Sequence, residues 1–369
     1  MQRHQTSPQV GLLGLLALIA ATAALPARAA SFIGGFSTIT ILSSTIPTNG
    51  DVNPYGVALI PQSKGNLVAG NFLISNFNNA GNLQGTGTTI VQITPSGSFS
   101  LFAQIDPTTT SCPGGVGLTT ALVVLRSGFV VVGSLPTTDG TSATIGSGCL
   151  IVLNSTGRVV KTITGNHLNG PWDMTAVDGG QLAALFVTNV LNDTVKAGGK
   201  VVHHGTVVRI LLGDFDDAAP RVLDSTVIAD GFSERTDPAA LVIGPTGAAF
   251  DDSTGTLYVA DSLNNRIAAI PNALFRNLPS HGGVTVSQGG AINDPLGLAL
   301  APNHDIITAN GNDGNLVETN PSTGQQVAVK LVDNSGGPPP GAGALFGIGV
   351  TSAGVYFVDD ATNTFNLLN

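Results

Sequence analysis

The sequence predicts an all-β fold, a six-bladed β-propeller whose last blade is completed by a strand from the N-terminus. Three observations predict it. Val, Ile, Thr, Gly and Asn are abundant, charged residues make up only 10 % of the chain, and there are 48 Gly and 21 Pro, a balance that favours strands and turns over helices. A module of apolar run, turn, apolar run ending in Asn or Asp, polar turn and third apolar run recurs six times. The chain ends after three strands of the sixth module, while one strand-like stretch stands unpartnered ahead of the first.

The modules open at Asn53 (NPYGVALIPQSKGNLVAGNFLISN), Gly115 (GVGLTTALVVLRSGFVVVGS), Gly170 (GPWDMTAVDGGQLAALFVTN), Gly244 (GPTGAAFDDSTGTLYVAD), Asp294 (DPLGLALAPNHDIITAN) and Ala344 (ALFGIGVTSAGVYFVDD). The second is degenerate. Spread over residues 30–369, they average about 56 residues, the length of three or four short strands with their turns. One such small sheet cannot bury both faces alone, so stacking in a ring is the natural solution. Seven blades or a β-sandwich are the alternatives. The stretch Phe36 to Ser44 (FSTITILSS) has no module of its own. It is expected to add the outer strand of the sixth blade, which removes two free sheet edges.

Ahead of residue 30 lies a targeting segment: a weakly basic start at Arg3 and His4, an uncharged apolar stretch from Val10 to Leu25, and Ala27-Arg28-Ala29 as the peptidase site. The 16 residues of that stretch are short for a span, which needs about 20. Residues 1–29 therefore read as a signal peptide cleaved after Ala29, with a retained anchor as the alternative, and residues 30–369 as one propeller domain. Loss of Arg3 and Arg28, with no acid, leaves 12 bases against 23 acids. So acidic a chain with no basic patch is not expected to bind nucleic acid or anionic lipid. Cys112 and Cys149 are the only cysteines; in an exported protein they are expected to form one disulfide, two buried thiols being the other option. Secreted or periplasmic, with no membrane span in the mature chain and monomeric, is the expected state.

The fourth module, GPTGAAFDDSTGTLYVADSLNNRIAAI, resembles an NHL repeat, whose pattern runs Pro-x-Gly, apolar, Asp, Gly-x-Leu-Tyr-Val-Ala-Asp, then Asn-x-Arg-Ile. The first, third, fifth and sixth match in part and the second in outline. The resemblance implies a propeller and leaves function open, since such propellers include binding scaffolds, an amidating lyase and relatives of lactonases. It also implies that Asp261 and Arg266 serve the blade itself as a structural turn pair. Asn76, Asn189, Asn310 and Asp359 occupy the Asp261 position elsewhere, where Asn and Asp suit tight turns.

Antiparallel order brings two rings of residues to one mouth: the strand starts (Asn53, Tyr55, Trp172, Asp173, Asp237, Asp294, Phe346) and the turns after second strands (Asn76, Asn189, Asp261, Asn310, Asp359). Those turns are long in the first three modules and short in the last three, which makes a lopsided rim suited to binding. Tyr55 and Trp172, with Asn76, Asn189 and Asn310, are the candidate ligand contacts, able to stack on and bond a sugar or other planar-faced molecule, or else to plug the channel. Asn53, Asp173, Asp237 and Asp294 are candidate oxygen ligands for Ca²⁺. Gluconolactonase-type propellers place such a set on the axis and include a Glu, but here the only two, Glu234 and Glu318, fall in a linker and a third strand. No HxH, HxxxH or HExxH spacing offers zinc, and no Gly-x-Ser-x-Gly elbow or phosphate loop occurs. The leading functional expectation is an exported scaffold binding a small molecule, saccharide or protein at the mouth. Ca²⁺-assisted hydrolysis of a lactone at the axial Asn/Asp ring is the alternative. A ring serving only as a wall or matrix spacer comes third.

Overall fold

Apolar runs that do not alternate with polar residues are buried on both faces, and here that burial is achieved by neighbouring sheets. The structure is a computed structural model, described for residues 30–213, 215 and 219–369; the expected leader, with Val10–Leu25 and the expected cleavage site after Ala29, lies outside the described residues. Ser31–Asn369 form one unit of six sheets, antiparallel apart from the parallel pairing of Ser280–His281 with Ala229–Asp230. From the axis outward the first blade is Val52–Leu59, Phe72–Asn78, Thr89–Ile93 and Phe99–Gln104; the second is Leu118–Val124, Val130–Ser134, Cys149–Leu153 and Val159–Ile163. The third is Pro171–Asp178, Leu182–Asn189, Val202–Gly213 and Arg221–Asp237; the fourth is Pro245–Asp251, Thr256–Asp261, Arg266–Ile270 and Val284–Gln288. The fifth is Pro295–Leu300, Ile306–Asn310, Asn315–Thr319 and Gln326–Leu331. The sixth is Leu345–Thr351, Gly354–Asp359, Thr364–Leu368 and, outermost, Ile39–Ser44.

The closing strand pairs as its sequence position implied, from Ile39 opposite Leu368 to Ser44 opposite Thr364. The chain ahead of it is held as well. The buried Glu318 carboxylate accepts the Ser31 hydroxyl at 2.6 Å and the amides of Phe32 at 2.7 Å and Ile33 at 2.8 Å. Those bonds outweigh burial and hold Glu318 below the usual carboxylate range.

The core lies between blades. Second and third strands are almost wholly buried, and apolar clusters draw on adjacent sheets, as where Leu73 and Ile90 of the first blade meet Val132 and Ile151 of the second. The Cys112–Cys149 disulfide is formed, with Cα atoms 5.5 Å apart.

The blades meet most tightly at the axis. Each inner strand carries a bulge, seen as the register jump between Pro54 and Val57, Pro245 and Ala248, Pro295 and Leu298, or Leu345 and Ile348. Within it stand Gly56, Gly247, Gly297 and Gly347. A Cβ at the last three would press into the carbonyl oxygens of Leu296, Phe346 and Tyr55 in the next blade. The same register puts Asp173 at this position in the third blade.

That blade departs from the sequence reading in another way. Its outer strand, Arg221–Asp237, runs 17 residues and folds back as a hairpin, pairing Arg235–Asp237 with Leu241–Ile243. Glu234 therefore lies inside a strand and is fully buried, not in a linker. Extended backbone pairing carried past the sheet's edge accounts for the difference: Val202, ahead of the third strand's apolar run, already pairs with Glu234.

Candidate functional site

The inner strands all start at one face, and their starts enclose a cleft of about 650 Å³. Its floor is aromatic. Tyr55 stacks on Phe346 at 3.9 Å between centroids and on Phe77 at 4.5 Å, and Trp172 meets Tyr55 edge-on at 5.8 Å. Tyr55 and Trp172 are each 2 % exposed, so the rings spend their faces on one another and plug the axis rather than offering free platforms.

The walls are polar. Asn53 sits at φ 63°, a left-handed conformation that Asn tolerates, with its amide hydrogen on Asn363 Oδ1 at 2.7 Å. Oriented to satisfy both neighbours, its side chain donates to Asp360 and accepts from Asn78 Nδ2 at 2.9 Å. Burial first, then the Asp359 charge, pushes Asp360 up to about 7. Burial and the Asp360 charge likewise raise Tyr55 well above its ordinary value. Across the cleft, Arg235 pairs with Asp237 at 2.7 Å, and Asp237 caps its own loop by accepting the amides of Ala239 at 2.8 Å and Ala240 at 3.2 Å. Asp294 beside them is pushed up to about 6, mainly by burial and then by Asp237, with Arg235 opposing.

The rim differs from expectation. Of the three long turns only the first reaches the cleft, through Asn82 and Gln84. The second buttresses it, Thr137 Oγ1 donating to the Gln84 carbonyl at 2.5 Å. Segments 235–243 and 337–343 and the short turns of the last three modules, through Leu263, Asn265, Asn312 and Asp360, also line it, and Gln84 Nε2 ties the first segment down at the Ala239 carbonyl, 2.8 Å away. Leu241 holds φ 59° there while fully buried, a conformation costly for a bulky residue.

Asn76, Asn189 and Asn310, expected as ligand contacts, are completely buried inside the blades. Asn76 donates to the Thr45 carbonyl and Thr89 Oγ1, both at 3.1 Å; Asn310 donates to the Ala291 carbonyl at 2.7 Å; Asn189 accepts the Asn169 amide at 3.4 Å. They staple turns because a tight turn leaves backbone groups that a short amide can satisfy. Asp261 and Arg266 act in the same place: Nε to Oδ2 is 2.6 Å, and the guanidinium reaches the Gly282 carbonyl at 2.6 Å and Thr285 Oγ1 at 2.9 Å.

Nor do Asn53, Asp173, Asp237 and Asp294 form one cation site. Asp173 lies below the aromatic plug, Asp237 is already neutralised by Arg235, and Asn53 is spent on Asp360 and Asn78. Among the described residues no three His, Cys, Asp or Glu side chains are placed to share an ion. The residues the sequence reading missed are Arg235, Asn78 and Asp360. Only Asp360 left a signal, as the second acid of Asp359-Asp360 beside a recognised turn position.

Among solved structures, the chain is similar to a gluconolactonase of Xanthomonas campestris, with TM-score 0.55 and 13 % identity over 91 % of this chain and 90 % of that one. It is similar also to a structural-genomics target with a provisional gluconolactonase assignment, with TM-score 0.50 and 14 % identity over 90 % and 91 %. A chain of a nidogen/laminin complex matches with TM-score 0.45 and 12 % identity over 76 % and 80 %. Identities this low speak to the fold alone. No protein-family model matches the sequence, and no curated protein does. Among the described residues no helix is long and apolar enough to cross a membrane.

Proposed function

We propose that the mouth cleft is the functional site and that it takes a small polyhydroxylated ligand of the sugar or sugar-lactone class. One observation carries this reading. Amides (Asn82, Asn312), carboxylates (Asp294, Asp360) and one guanidinium (Arg235) converge over a closed aromatic floor, in a cleft of a small ligand's size. Both acceptors and donors line it, as a polyol requires. The fold shared with gluconolactonases makes a lactone the first ligand to test. The disulfide and the leader pattern support export, and the Gly244–Ile270 motif supports kinship with NHL propellers.

A second reading, hydrolysis of that lactone, is favoured by Asp294 and Asp360, whose raised pKa values of about 6 and about 7 suit proton transfer near neutrality. The residues present do not fit a shared cation, so no step is assigned to one. Titration calorimetry with glucono-1,5-lactone and gluconate tests binding. Wild type is expected to bind, and Asp360→Ala and Arg235→Ala to weaken it by about 10-fold or more, the loss of one charged contact. No binding of either compound by wild type removes the reading. Base uptake on adding lactone, followed with and without chelator, decides the hydrolysis.

A further inference from the structure

Below the aromatic plug a second cavity of about 360 Å³ follows the axis between the inner strands to the opposite face. Its wall combines the backbone of the inner strands and the hydroxyl-bearing Thr120 and Thr175 with side chains such as Leu122, Ala249, Leu298 and Ile348, and only one of its lining residues, Asp173, carries a charge. The far end is open, since Leu59, at the end of its inner strand, is 43 % exposed. From the level of Gly56 to Leu59 is three residues of strand, about 10 Å.

Asp173 departs from the pattern of the ring while bonding the fourth blade across the seam. At the same bulge four other blades use glycine, the residue the close approach of blades demands. The third blade instead places a carboxylate on the axis, fixed by the Met174 amide on Oδ1 at 2.8 Å and the Ala248 amide on Oδ2 at 3.1 Å. An ionised carboxylate accepts about four hydrogen bonds, so acceptor capacity remains toward the cavity. No cation lines the wall to meet it.

We propose that this axial channel is a second binding site, separate from the mouth, for a small organic amine with an aliphatic body, whose ammonium is held by Asp173. Side chains such as Leu122, Leu298 and Ile348 meet the carbon chain of the ligand, and the depth suits a chain of about six carbons. The carboxylate supplies the one charge, and its two fixed hydrogen bonds preorganise it. Burial pushes Asp173 up to about 7, opposed by the two amides, so the empty channel holds a neutral carboxyl below that pH. The ammonium stabilises the ionised form, so binding releases a proton below pH 7 and is weaker at pH 5.5 than at pH 8. No other titratable side chain lines the channel to share this dependence.

Calorimetry on the full mature chain with n-hexylamine, 1-hexanol and hexanoate tests the proposal. Hexylamine is expected to bind wild type, 1-hexanol about 10-fold more weakly, and hexanoate not at all. Asp173→Asn and Asp173→Gly should each weaken hexylamine by about 10-fold or more. The glycine variant restores the residue used by four other blades, so its fold is the safer of the two. Absence of hexylamine binding, equal binding by 1-hexanol, or undiminished binding by Asp173→Gly overturns the proposal.

Discussion

The third and fourth blades are neighbours with the same strand order, yet they divide the labour. The fourth is regular: strands of 7, 6, 5 and 5 residues, a tight turn, glycine on the axis. Its ion pair of Asp261 with Arg266 is turned into the blade. The third has strands of 8, 8, 12 and 17 residues, a fully buried glutamate, and a carboxylate where glycine stands elsewhere. It sends Arg235 and Asp237 to the mouth and Asp173 to the channel. The regular repeat keeps glycine on the axis, while the irregular one places charged side chains at both the mouth and the channel.

Exchanging the axial residues is the most severe way to break this comparison. Gly247→Asp should cost about 3 kcal/mol or more, because its Cβ meets the backbone of the fifth blade, while Asp173→Gly should cost about 1 kcal/mol. Urea unfolding of the two variants measures the difference. Next is Asp261→Ala. The Asp261 side chain is fully buried and the Arg266 side chain is 14 % exposed, so removing the acid strands a largely buried guanidinium at a cost of about 3 kcal/mol. An equal loss of stability in Gly247→Asp and Asp173→Gly would erase the distinction between scaffold and site.

Glu234 sharpens it through pH. Burial raises its pKa to about 8, against the lesser pull of Asn192. A carboxyl raised in the folded state contributes stability in full below its unfolded value and loses it as pH rises through the folded one. Wild type should therefore weaken between about pH 4.5 and pH 8. Glu234→Gln should flatten that decline and be more stable by about 1–3 kcal/mol at pH 8.5, as thermal melts across pH will show. Arg235→Ala should have the smallest effect on stability, under about 1 kcal/mol, since the Arg235 side chain of the pair is 31 % exposed. Its effect belongs to ligand binding, and a large drop in melting temperature would place it with Arg266 instead.

What was legible follows the same division. The repeat, the closing strand and the disulfide could be read because each depends on residues near one another in a pattern or on a pair with no other partner. The turn positions from Asn76 to Asp359 were located correctly, but their direction was not: an Asn at a turn bonds a ligand or its own backbone with the same atoms, and only packing distinguishes them. The reach of Arg221–Asp237 past the sheet was invisible because Gly231 and the polar residues around it mimic a linker.

The sequence by itself determined six modules, their order and their closure, because strand propensity and apolar periodicity are local properties that survive without neighbours. Which carboxylates meet was decided only by the tertiary structure. The aromatic plug, built from Tyr55, Phe77, Trp172 and Phe346 of three different blades, separates Asp173 from Asp237, Asp294 and Asp360. That separation arises from stacking among residues far apart in the chain, which no spacing along it encodes.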